Sequence, residues 1–123
     1  MSQTNSNVVV SVGKNRELLL LRDAVLKSAG FDVFTTENES EALARVSRGD
    51  CGVLLVCYST PLPIKRQLAL VFRKQCPEGR IIAIANQPVG KLEVADGVVF
   101  GIDGPEVLID ALRGKSANME SGD

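Results

Sequence analysis

The stretch VLLVCYSTPLP (Val53–Pro63) decides how the rest of the chain is read. Its first six residues form an unbroken apolar run of strand length, without polar alternation. Such a run suits a parallel strand covered on both faces. The Ser-Thr-Pro-Leu-Pro that follows stops pairing, because proline fixes its own φ and has no N–H to donate. Working outward, VVVSV (Val8–Val12) and RIIAIA (Arg80–Ala85) repeat the pattern. FDVFTT (Phe31–Thr36) alternates and is rich in aromatic and β-branched residues, as a further strand should be. GVVFGI (Gly97–Ile102) is a short fifth.

Helical patterns separate these runs. Between Arg16 and Ala29, the positions Leu18, Leu21, Val25 and Ala29, with Leu26 beside them, give a helical stripe closed by Gly30 in a C-terminal cap position. Asn38 followed by Glu41 has capping-box spacing for a second helix. Ile64 to Cys76 carries Leu68, Val71, Phe72 and Cys76 on one stripe. Gly104-Pro105 opens a last helix, with Val107, Leu108, Ala111 and Leu112 facing inward and Pro105 in its favoured first-turn place. Between the fourth and fifth strands only NQPVGKLEVAD (Asn86–Asp96) is available, broken by Pro88 and Gly90. At most a short helix over Lys91–Ala95 fits there. Strands alternating with helices predict an α/β domain with a parallel sheet and right-handed crossovers. It is expected over residues 8–114, between a polar N-terminal arm (1–7) and a polar tail (115–123).

Composition narrows the function. A chain of 123 residues suffices for one domain with a real core. With 14 basic and 15 acidic residues and 4% aromatics, it has neither the basic surplus nor the stacking side chains that nucleic-acid binding by this chain alone would need. The polar start MSQTNSN lacks a signal-peptide pattern, and LLLL (Leu18–Leu21) is far too short to span a membrane. A cytoplasmic protein that makes no membrane contact is expected. Cys51, Cys57 and Cys76 have no metal-ligand spacing, and their odd number argues against a disulfide framework. Without histidine, zinc and His-based acid–base chemistry lose their usual residue. No cofactor and no enzymatic activity are expected.

Three phrases carry a resemblance. AGFDVFTTENESEAL (Ala29–Leu43), VLLVCYSTPLP and ADGVVFGIDGPEVLIDAL (Ala95–Leu112) resemble, in order and spacing, segments of the receiver domains of bacterial response regulators, the CheY-like family. The resemblance implies a flavodoxin-like, doubly wound, five-stranded parallel sheet of order 2-1-3-4-5, here with a shortened fourth helix. Its site would lie at the carboxyl ends of the strands.

Receivers use two acidic residues after the first strand for a divalent metal, an acceptor aspartate ending the third strand, a Ser/Thr ending the fourth and a lysine ending the fifth. Those places fall here on Gly13 and Lys14, Cys57, Ala85, and Gly101, with Ile102 in place of the following proline. A pocket without carboxylates suits magnesium poorly, and phosphoryl transfer needs charge neutralised beside the acceptor. The expectation is a degenerate receiver pocket in a phosphorylation-independent signalling and interaction module of two-component type.

Two alternatives stay open. Cys57 could be a thiol-based redox sensor, with Lys14 lowering its pKa, although a strand-end cysteine is more often a small apolar filler whose burial raises the pKa. The emptied pocket could instead bind a small anion beside Lys14. Glu37 is the nearest candidate replacement carboxylate. Leu20 lies opposite the apolar stripe, as a partner contact or an ordinary exposed leucine. A protein partner or a second copy is expected to dock on the connection after the fourth strand, the fifth strand and the last helix, through Val94, Val98, Phe100 and Val107.

Overall fold

In the computed structural model, which describes residues 5–85, 95–100 and 105–113, five strands form one sheet in the order β2-β1-β3-β4-β5. They are β1 (Asn5–Val12), β2 (Asp32–Thr36), β3 (Cys51–Cys57), β4 (Arg80–Ala85) and β5 (Gly97–Phe100). Every pairing is parallel. The intervening helices are α1 (Arg16–Ser28), α2 (Glu39–Val46), α3 (Leu62–Gln75) and α4 (Pro105–Leu112). The predicted α/β class and strand order are those observed.

Alternation along the strands builds two cores. Val8, Val10, Val12, Leu54, Val56, Ile81 and Ala83 face α2 and α3, where Ala42, Val46, Leu68 and Phe72 cover them. Val9, Val53, Leu55, Ile82, Ile84 and Val99 face the other way, onto Leu26, Leu108 and Leu112 of α1 and α4. All seven residues of β3 are buried, as its unbroken apolar run requires.

Four details differ from the sequence reading. β1 starts at Asn5 rather than Val8, because main-chain pairing with Cys51 extends it through polar residues. β3 likewise begins at Cys51 and ends at Cys57. α3 begins at Leu62 rather than Ile64, since Pro63 sits in the first turn, where a missing N–H costs nothing. The inward stripe of α1 is Leu19 and Leu26, whereas Leu21 is 61% exposed. Four consecutive leucines satisfy any helical phase, so the spacing could not choose among them.

The caps follow sequence more closely. Gly30, at φ 100°, ends α1. Its N–H bonds the Lys27 carbonyl and that of Phe31 bonds the Leu26 carbonyl, which is a Schellman closure. Asn38 caps α2 by accepting from the Glu41 N–H at 3.0 Å. The Glu41 carboxylate does not reach back to the Asn38 N–H. It accepts from the Thr36 hydroxyl at 2.6 Å, while that hydroxyl accepts from the Asn38 N–H at 2.9 Å. The short helix considered over Lys91–Ala95 lies almost wholly outside the described residues.

Candidate functional site

Sheet register brings three of the five receiver positions to one edge. Val12 pairs with Val56, so Gly13 leaves β1 level with Cys57, the last residue of β3. Cys57 pairs with Ile84, so Ala85 lies one step further along β4. Gly13, Cys57 and Ala85 are all buried. Gly101 lies outside the described residues.

The approach between Gly13 and Cys57 is close: a Cβ on Gly13 would lie 2.8 Å from the Cys57 Cβ. The turn after β3 locks the two strand ends together. The Thr60 N–H bonds the Cys57 carbonyl at 3.0 Å, and its buried hydroxyl donates to the Val12 carbonyl at 3.3 Å. The Ser59 hydroxyl accepts from the Lys14 N–H at 2.8 Å.

Lys14 does not sit beside the thiol, contrary to the sensor reading made from sequence. Its ammonium turns to the start of α2, where it pairs with the Glu39 carboxylate and donates to the Glu37 carbonyl at 3.2 Å. The cation at the thiol is Arg22, on the inner flank of α1, whose Nη1 donates to the Cys57 Sγ at 3.1 Å. Burial pushes the Cys57 thiol up. The Ser59 N–H and hydroxyl, then the Arg22 guanidinium, outweigh it and hold the thiol below its usual range. The expectation that burial would dominate is therefore reversed, though Cys57 is shielded, at 1% exposure. The other two thiols behave as buried fillers. Burial pushes Cys51 up to about 12, and Cys76 is also raised by burial.

A receiver's metal does not fit this edge. Gly13 offers no side-chain donor atom, Lys14 brings a paired ammonium, and the sulfur of Cys57 is held by Arg22. Among the described residues no group of three or more Cys, Asp or Glu side chains is placed to hold a metal ion. Ala85 supplies no hydroxyl. Beside the edge, Arg16, Leu19, Leu20, Thr35, Thr36 and Glu37 line a cavity of about 230 Å³. Leu20 and Glu37 thus face the same hollow.

The residues expected to form an interaction face are divided. Val98 is half-buried against the α2–α3 core, and Val107 is half-buried against the α1–α4 core. Phe100 pairs with Ala85 through the main chain. Val94 lies outside the described residues. Among the described residues no helix is long and apolar enough to cross a membrane.

No family model matches the sequence, and no curated protein matches it. Solved structures do. A response regulator receiver protein from Sinorhizobium medicae is similar at 19% identity and a TM-score of 0.75, over 87% of this chain and 91% of that one. The chemotaxis protein CheY4 of Vibrio cholerae is similar at 18% identity and a TM-score of 0.74, over 93% and 99%. A putative pilus assembly-related protein from Burkholderia pseudomallei matches all of this chain and 98% of its own, at 12% identity and a TM-score of 0.72. The fold is that of CheY-like response regulator receiver domains.

Proposed function

We propose that the chain is a receiver-like interaction module of two-component type that signals without phosphorylation and is not an enzyme. One observation carries this: the last residue of the central strand is Cys57, its sulfur held by Arg22, and it abuts Gly13 with no carboxylate between them. Phosphoryl transfer needs an acceptor oxygen and a cation that neutralises the developing charge. The strand end offers a thiol in place of an acceptor oxygen, and no carboxylate stands beside it to hold a metal ion. The Lys14–Glu39 pair ties the loop after β1 to α2 in one arrangement, and it occupies the charge that a small anion would need. The deciding experiment treats the protein with acetyl phosphate and magnesium and measures intact mass. An unchanged mass is expected, and an acid-labile phosphate adduct would overturn the proposal.

Its partner, another protein or a second copy, would dock where β5 and α4 meet. Val107 is only partly covered on the α4 side, Val98 is partly covered on the opposite side of the sheet, and β5 between them is a four-residue edge strand. Val94→Asp with Val107→Asp should then abolish self-association or partner capture, and an unchanged solution mass with intact capture would reject that face.

A thiol sensor is the second reading, because Ser59 and Arg22 favour the thiolate of Cys57. It requires an opening that exposes a sulfur now 1% accessible. Native protein that reacts with a small thiol reagent no faster than it unfolds would dismiss it.

A further inference from the structure

Between Asp50 and Glu78 the sequence has no acidic residue and four basic ones, Lys65, Arg66, Arg73 and Lys74, all on α3. The chain is net −1, so this helix is a positive feature on a molecule that is otherwise net acidic. Leu68, Ala69 and Phe72 turn inward. On the outward face lies Leu70, at 72% the most exposed of the large apolar side chains described. Arg66 and Lys74 stand one turn to either side of it and are exposed. At 100° per residue these three project within a sector of about 80°. Leu62, 45% exposed, extends the stripe by another turn.

Local electrostatics explain only part of this pattern. Cations near a helix C-terminus meet its favourable dipole end, which accounts for Lys74, and Arg73 is bonded to Asp96 at 2.8 and 3.0 Å. Lys65 and Arg66 lie in the half where the dipole opposes them, with no acid in the first turn. Lys65, Arg66 and Lys74 make no ion pair with any described residue.

We propose that the outward face of α3 docks an acidic, helix-forming segment of a partner protein. Its carboxylates would meet Arg66 and Lys74, and an apolar side chain between them would cover Leu70. The choice of occupant rests on charge complementarity and on that leucine sitting between the cations. A membrane-binding helix would instead present a broad apolar face flanked by basic residues. A nucleic-acid surface would favour aromatic side chains over a leucine. This surface is separate from the β5–α4 edge and stands whether or not that edge binds anything.

The test titrates the full chain into a labelled synthetic helical peptide bearing a leucine with glutamates four residues to either side, read by fluorescence anisotropy. Saturable binding that weakens with salt is expected. Arg66→Glu with Lys74→Glu should weaken it by about tenfold or more. Leu70→Ser should weaken it at unchanged salt dependence, and Val107→Asp should leave it alone. The α3 positions are exposed, so the variants should melt like the parent. Absence of saturable binding, or equal binding by the variants, overturns the proposal. So does tighter binding to phosphatidylserine vesicles than to the peptide, or a concentration-dependent self-association that Arg66→Glu abolishes.

Discussion

The guanidinium of Arg22 reaches from α1 to the sulfur of Cys57 at the end of the central strand, 3.1 Å away. This contact joins the helix packed under the sheet to the last residue of the central strand, β3. It places a cation against a thiol that burial alone would leave neutral.

Replacing Arg22 with methionine keeps the packing of its stem and removes the charge. The Cys57 pKa should rise, as the thiolate ultraviolet absorbance of the native protein will show. In the parent, Cys57 should titrate before the other two thiols, and Cys57→Ala should remove that first step. Because the folded thiol is lowered, its stabilising effect is present above the unfolded-state pKa and fades as pH falls through the folded one. The variant should lose roughly 1–3 kcal/mol at alkaline pH, as for a hydrogen bond to a charged group, and less at neutral pH. Equal losses at both would assign Arg22 a packing role only.

Cys51 should act in the opposite sense. Its folded pKa, about 12, exceeds the unfolded value of roughly 8.5. Stability is therefore complete below the unfolded pKa and is lost as pH rises toward the folded one, by at most about 1.4 kcal/mol per pH unit per thiol. Urea unfolding of reduced protein between about pH 8.5 and 10 should show a shallower decline for Cys51→Ala than for the parent. Parallel declines would mean that other groups govern alkaline stability.

Asp96 anchors the entry to β5. Its carboxylate holds Arg73 and accepts from the Ile81 N–H at 2.7 Å, while its own N–H donates to the Ile81 carbonyl at 2.7 Å. Asp96→Ala should cost about 1 kcal/mol, a modest figure because the pair is partly exposed. It should speed amide exchange in β5 more than in β3. Uniform exchange changes across the sheet would show that Asp96 contributes only to global stability. Burial alone would raise this carboxyl, but Arg73 and the Ile81 N–H hold it below the usual carboxylate range. Its contribution should therefore fade as pH falls through that lowered value.

Much of the fold was legible because strand and helix periods differ. Apolar runs marked β3 and β4, and Asn38 announced the start of α2. What stayed hidden depends on contacts that spacing does not encode. The Leu18–Leu21 run masked the phase of α1, and with it the inward position of Arg22, the residue that changes the reading of Cys57. Lys14 was the nearer cation in sequence, yet its chain points to Glu39. Had the stripe been phased on Leu19 and Leu26, Arg22 would have fallen between them on the same side.

Gly13→Ala is the simplest probe of the edge itself. The added methyl would meet the Cys57 Cβ at 2.8 Å and Leu19 at 3.3 Å. Urea unfolding should register a loss of about 1–3 kcal/mol, as for other overpacked sites. A stability equal to the parent's would show that the strand ends part freely.

The same close approach bears on what could replace these two residues. The obstacle at Gly13 is the β-carbon of Cys57, an atom that every residue except glycine carries. Exchanging Cys57 for aspartate would place a carboxyl at the strand end without making room for one at Gly13. Paired acids at the two positions would need the strand ends to move apart first, so neither exchange prepares the way for the other.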